Sequence, residues 1–234
     1  MYQRHDETNV FFETSSDSLR KYTIRTFSWM GLGLALTFFV AYLVLSTDLI
    51  YLIYGNEIIP YVILIAQLGV AVAFGARLSK MTVTSARVLF LVYAALLGLT
   101  FSSIGLEFDM STIIFAFLIT AIYFVSLIVI GMTTKINLLR FGPILIGGLI
   151  TLIIVEVIMM LMNASIDTML FSAIGLILFT GLTAYDAQKM SMLYYQNEGN
   201  PEVLKTLSIY SAFELYLDFI NIFLYILRFL RDND

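Results

Sequence analysis

Of the 234 residues in this chain 60% are apolar and 13% charged, and the mean hydropathy is +0.91, outside the range of a soluble globular domain. There is no cysteine and one histidine, His5, which excludes disulfides, thiol chemistry, zinc sites and haem ligation; with a net charge of −4, no nucleic-acid partner is expected. The composition is that of an integral membrane protein whose first partner is the lipid bilayer.

Residues 1–25 are polar and of mixed charge, and read as a loose cytoplasmic tail in which His5 is solvated. The apolar run after them is too long for a cleavable signal sequence and reads as an uncleaved anchor. Seven stretches reach the roughly 20 residues that cross a hydrocarbon core, near 26–46, 58–76, 88–107, 111–132, 143–162, 169–188 and 207–230. The expected class is an all-α polytopic membrane protein, with one seven-helix transmembrane domain over 26–230 and a short polar C-terminus at 231–234. The links are too short to hold a soluble enzymatic module, so neither an enzyme nor a cofactor is expected. Pro60 and Pro143 fall just inside the second and fifth stretches, where a missing N–H costs little, and Pro201 falls in the sixth link. Gly69 and Ala73 in the second stretch, and Ala94, Gly98 and Ser102 in the third, recur at four-residue spacing, which predicts close approach of helix backbones.

Orientation follows from the basic residues. The tail holds Arg4, Arg20, Lys21 and Arg25, the second link Arg77, Lys80 and Arg87, the fourth Lys135 and Arg140, and the sixth Lys189 and Lys205. The odd-numbered links hold none, so the positive-inside rule places the N-terminus in the cytoplasm. Seven crossings then put the C-terminus outside, against which Arg228 and Arg231 count mildly. The outer links carry Asp48, Glu57, Glu107, Asp109 and Asp167 with no compensating cation. Such a face either concentrates cations at its mouth or reflects only the lack of basic residues in exported loops.

The last stretch is not a plain anchor. At 100° per residue, Ser211, Glu214, Asp218, Asn221, Tyr225 and Arg228 share about a third of the helix circumference. A carboxylate near mid-membrane costs at least about 2.5 kcal/mol, so such residues face a protein interior or a water-filled path. A second carboxylate, Asp186, stands at the expected cytoplasmic end of the sixth stretch, and Asp218 lies about 16 Å into the seventh from that same side. The two meet if the sixth helix runs inward by a turn and the seventh is tilted. Two unit charges about 5 Å apart repel by roughly 3 kcal/mol at an effective dielectric of about 20. One shared proton would tie the two helices, and its loss would replace the tie with repulsion, making a pH-sensitive latch. Arg77, at the cytoplasmic end of the second stretch, is the candidate partner for a released carboxylate, since arginine stays charged and binds carboxylates through two hydrogen bonds. The blander readings are a headgroup anchor for Arg77, a solvated helix end for Asp186, and snorkelling for Glu214. Glu156 either belongs to an ion entry path or reaches the headgroups.

The stretches Ala184-Tyr185-Asp186-Ala187-Gln188-Lys189 and Leu215-Tyr216-Leu217-Asp218-Phe219-Ile220-Asn221-Ile222-Phe223, with Leu227-Arg228 after them, resemble the Bax inhibitor-1 family. The run from Leu89 to Thr100 and Phe74-Gly75-Ala76-Arg77 support the likeness, which covers roughly residues 20 to 230. The resemblance implies six helices surrounding a central seventh, and a pH-sensitive calcium leak. It also implies an aspartate pair at Asp186 and Asp218 as sensor and gate, with Arg77 as the alternative partner. The link after the fourth stretch departs from the family: it reads Lys135-Ile136-Asn137-Leu138 where a Lys-x-Asp-Leu pattern is frequent, so a charge interaction there does not carry over.

The expected function is thus a pH-gated leak for Ca²⁺ in a bacterial plasma membrane, with Ca²⁺ and protons as partners and Glu214, Asn221 and Glu156 along the ion path. Calcium prefers oxygen ligands, and a leak needs them weak, so any calcium near Asp186 and Asp218 is transient and no tight metal site is expected. The rival is a non-transporting protein that modulates a membrane-bound quality-control protease or a stress response, with the aspartates as a structural pair. An intramembrane aspartyl protease is disfavoured because Asp218 follows Leu215-Tyr216-Leu217 rather than Gly-x-Gly. Retinal binding would require a lysine within 207–230, which has none, and a rhomboid-type protease a membrane histidine.

Overall fold

The computed structural model describes the backbone of residues 4–162 and 168–231, and side chains from Leu19 onward within those limits except at 79, 160, 161 and 168. The tail residues Arg4 and His5, and Asp167 and residues 232–234, therefore lie outside the described side chains. Among the described residues every regular element is helical: α1 (Arg4–Leu45), α2 (Leu49–Tyr54), α3 (Ile58–Arg77), α4 (Val83–Phe101), α5 (Ile104–Glu107), α6 (Met110–Thr133), α7 (Gly142–Met162), α8 (Thr168–Gln196) and α9 (Pro201–Arg231), with 3₁₀ turns at Leu78–Lys80 and Leu138–Phe141. Among the described residues six helices are long and apolar enough to cross a membrane, the spans of α1, α3, α4, α6, α7 and α8. The long helix α9 carries Glu214, Asp218 and Arg228 within its apolar stretch, in keeping with its polar stripe.

The helices follow the apolar stretches, and the differences lie at polar ends. The α1 helix is described from Arg4, so the described part of the tail expected to be loose continues the first span as helix. The α8 helix runs on to Gln196 and α9 starts at Pro201, six residues before the apolar stretch. Asn200 accepts from the backbone N–H of Val203 at 3.3 Å, and Pro201 follows it with φ already set for a helix. Hydropathy marks where a helix enters hydrocarbon, whereas this cap marks where it begins.

Contacts divide the chain into two units, residues 1–100 with 190–213 and residues 101–189 with 214–234, so α8 and α9 contribute to both. In the first unit the core is aromatic. Phe213 of α9 stacks on Phe74 at 4.5 Å between ring centroids and meets Tyr93 edge-on at 5.0 Å and Phe90 at 6.0 Å. The expected small-residue packing holds on α4: a Cβ on Gly98 would lie 2.6 Å from Val40 Cβ and 2.7 Å from the Thr37 carbonyl oxygen. Thr37 Oγ1 also donates to the Ala94 carbonyl at 3.0 Å. It does not hold on α3, where Gly69 is exposed and a Cβ there would meet nothing within 4 Å. What joins α3 to α4 is Gln67, whose buried amide donates to the Leu96 carbonyl at 2.9 Å and to Thr100 Oγ1 at 2.6 Å. A side-chain amide in an apolar span works as interhelical glue in this way.

In the second unit Phe219 of α9 meets Phe117 and Phe124 of α6 edge-on, each at 5.4 Å. Gly131 of α6 backs directly against α8: a Cβ there would collide with the Ala184 carbonyl oxygen and lie 2.9 Å from Ala187 Cβ. Away from the core, α6 exposes Ile114, Leu118, Ile122, Val125 and Val129, and α7 exposes Ile146, Ile150, Ile154 and Val157. These stripes at three- and four-residue spacing are lipid-facing surface. By contrast, none of residues 206–230 of α9 is exposed.

Candidate functional site

The α8 helix carries Thr183, Asp186, Gln188 and Lys189 within two turns, and α9 carries Glu214 and Asp218 one turn apart, all in the second unit. Because α8 continues ten residues past Asp186, about 15 Å, this carboxylate is well inside its helix and not at a solvated end. Asp186 is 9% exposed and Asp218 3% exposed. Their carboxyl groups stand within side-chain hydrogen-bond reach of one another, and Thr183 is within reach of Asp218. Two carboxyl groups in that contact bond only if one of them carries a proton. Treated as an ionised acceptor, Asp218 Oδ2 is buried with no donor; a shared proton removes that conflict. The Thr183 hydroxyl donates to the Phe179 carbonyl at 2.7 Å. Having one hydrogen, it faces Asp218 as an acceptor while that bond lasts, or turns to donate to it.

Beside the pair lies a cation that sequence reasoning treated only as a marker of orientation. Lys189 Nζ is 2.5 Å from Glu214 Oε1 and 3.8 Å from Asp186 Oδ1, and its ammonium sits 5.8 Å from the centre of the Tyr185 ring. The Lys189 and Glu214 side chains are 20% and 18% exposed, so Glu214 is held in an ion pair between α8 and α9 and does not snorkel. The signal was present: Lys189 is three residues after Asp186, one turn along the same helix face. Among the described residues no group of three or more carboxylate or imidazole side chains is placed to hold a metal ion.

The other stripe residues are also engaged. Ser211 shares a 3.2 Å hydroxyl contact with Tyr22, and Asn221 donates to its own helix at Leu217. Arg228 lies 3.8 Å from Glu156, which also hydrogen-bonds Tyr225. Glu156 is thus engaged by two groups of α9. Arg231 lies 3.9 Å from Glu107, so that outer-link acid does have a compensating cation. Arg77 ends α3 in the first unit and is exposed.

A family model described as inhibitor of apoptosis-promoting Bax1 matches residues 19–234. The chain belongs to the Bax inhibitor-1 family. Members similar to it include a Borreliella burgdorferi protein, 36% identical over 92% of this chain and 94% of its own length, and the Rickettsia prowazekii protein RP147, 36% identical over 94% and 93%. The inner membrane protein YbhL of Escherichia coli K12 is 35% identical over 90% of this chain and 91% of its own. As a Bax inhibitor-1 membrane protein the chain departs from the frequent pattern at the link after α6, and here the structure supplies a different fastening. Gln188, next to the Asp186 turn, accepts from the Leu138 N–H at 2.7 Å and donates to the Ile136 carbonyl at 2.9 Å. Asn137 instead caps the 3₁₀ turn through Leu139 N–H at 3.2 Å. A neutral amide thus docks the link where an aspartate was absent.

Proposed function

We propose that this chain is a pH-gated leak for Ca²⁺ across a bacterial plasma membrane, a transporter and not an enzyme, with Asp186 and Asp218 as sensor and gate. The observation that carries the proposal is the carboxyl–carboxyl contact buried between α8 and α9. A proton held between them ties the helices, and its loss converts a bond into like-charge repulsion in a medium that screens poorly. Arg77 is the partner for a carboxylate so released, and Glu214, Asn221 and Glu156 contribute polar groups along the path. The N-terminus is cytoplasmic and the C-terminus outside. The length of α9, 31 residues, suffices for a seventh crossing; in the first unit its first turns line a cavity of about 660 Å³ with residues 78 and 81–83, and in the second its last turn pairs with Glu107.

The test is Ca²⁺ flux into dye-loaded proteoliposomes between pH 5 and 8, comparing wild type with Asp186→Asn, Asp218→Asn and the double substitution, with reconstitution verified for each. Flux that rises with pH, and that either substitution flattens, is the expected result. Folded protein that gives no flux above empty vesicles would transfer the assignment to a non-transporting modulator of a membrane-bound protease or stress response.

A further inference from the structure

The Lys189 ammonium bridges α8 to α9 and lies against the carboxyl pair from one side. We propose that Lys189 is a tethered cation that occupies the approach to Asp186 and sets how readily a mobile cation reaches the pair, an inference that rests on the cation-leak reading. Asp186 and Tyr185 on its own helix and Glu214 on α9 stand against it. The nearest, Glu214, holds the ammonium 2.5 Å away and leaves it 3.8 Å from Asp186, so the lysine screens Asp186 without bonding it. A divalent ion moving to Asp186 meets this fixed positive charge first, and must either displace it toward Glu214 or wait for it to move. Glu214 is then a positioning residue: it draws the lysine off Asp186.

This arrangement predicts effects of opposite sign from the two halves of one ion pair. In Lys189→Gln, Ca²⁺ flux at fixed pH rises at least tenfold, because the screening charge is gone and three carboxyl groups remain. In Glu214→Gln, the ammonium turns to Asp186 and flux falls several-fold. Lys189→Arg keeps the charge and stays near wild type. An ion pair that only held α8 to α9 would make both neutral substitutions act in the same direction, and that result overturns the proposal.

Failure of the leak reading is separated by a binding measurement on the purified protein in detergent, using Tb³⁺ luminescence excited through tyrosine. Lys189→Gln is expected to bind Tb³⁺ at least tenfold more tightly than wild type, and Glu214→Gln more weakly. If no variant supports flux yet these affinities separate, the leak reading falls and the tethered cation stands; equal affinities in folded proteins remove the tethered cation. Should Lys189→Gln not fold, Lys189→Met is measured in its place, and an affinity equal to wild type in that folded variant removes the tethered cation.

Discussion

Gly131→Ala adds one methyl group at the point where α6 backs the turn that carries Asp186. Its Cβ would overlap the Ala184 carbonyl oxygen and lie 2.9 Å from Ala187 Cβ, where ordinary contact starts at 3.4 Å. The two helices must therefore part by at least 0.5 Å, which is 3.4 less 2.9, and by more at the carbonyl. Overpacking of this kind costs about 1–3 kcal/mol, against which Ala gains about 0.5–1 kcal/mol over Gly inside a helix. The steric term wins, with a net loss of about 1–2 kcal/mol, or a melting temperature lower by about 2–8 °C for a domain of this size. The control is Gly147→Ala on α7, where a Cβ meets nothing within 4 Å and only the helix term remains, so melting holds or rises. The assay is thermal unfolding of both variants in detergent, followed by size-exclusion chromatography, alongside the pH dependence of flux. Since Ala184 and Ala187 flank Asp186, Gly131→Ala also loosens the carboxyl contact and blunts the pH response. A Gly131→Ala protein that melts at or above wild type, with Gly147→Ala unchanged, would refute the close seating of α6 on α8.

Gln188→Ala removes two hydrogen bonds to the link after α6; the expected loss is about 1–2 kcal/mol, seen as faster amide exchange confined to residues 134–141. The absence of native cysteine makes topology directly readable: single cysteines at Asp109 and Asn233 should react from outside with an impermeant maleimide, and one at Lys80 only after permeabilisation. Labelling of Asn233→Cys only after permeabilisation would remove α9 as a full crossing.

The spans were legible because a hydrocarbon core imposes one requirement, sustained apolarity, on every crossing helix. The start of α9 was not, since Asn200-Pro201-Glu202 caps a helix outside that core and carries no hydropathy signal. The α9 stripe was legible from periodicity alone, and so was its inward orientation, because polar groups in lipid need partners. Which partners they find was not: Tyr22, Lys189 and Glu156 come from α1, α8 and α7, and no local spacing pairs Glu156 with Arg228 across 72 positions. Lys189 was misjudged because a basic residue near a span end satisfies the positive-inside rule as well as it satisfies Glu214. Gly69 shows the reverse error, since small residues at four-residue spacing allow close packing without requiring it.

Along the stripe, Ser211 meets a hydroxyl, Glu214 an ammonium, Asn221 a carbonyl and Arg228 a carboxylate, and each contact holds without a change of protonation. Asp218, by contrast, is a carboxyl group that faces another carboxyl group. For holding α9 in place a neutral amide would serve better there, because it bonds a carboxylate without a shared proton. Asp218→Asn therefore separates the two readings of the pair. If the pair is structural, the substitution at pH 8 keeps a hydrogen bond, removes a like-charge contact, and leaves every activity of the protein intact. If the pair is a gate, the same variant is as stable as wild type or more so at pH 8, yet its Ca²⁺ flux no longer rises between pH 5 and 8. Stability and function moving apart at one residue is the signature of a tie built to come undone, and loss of both together would mark Asp218 as a packing residue.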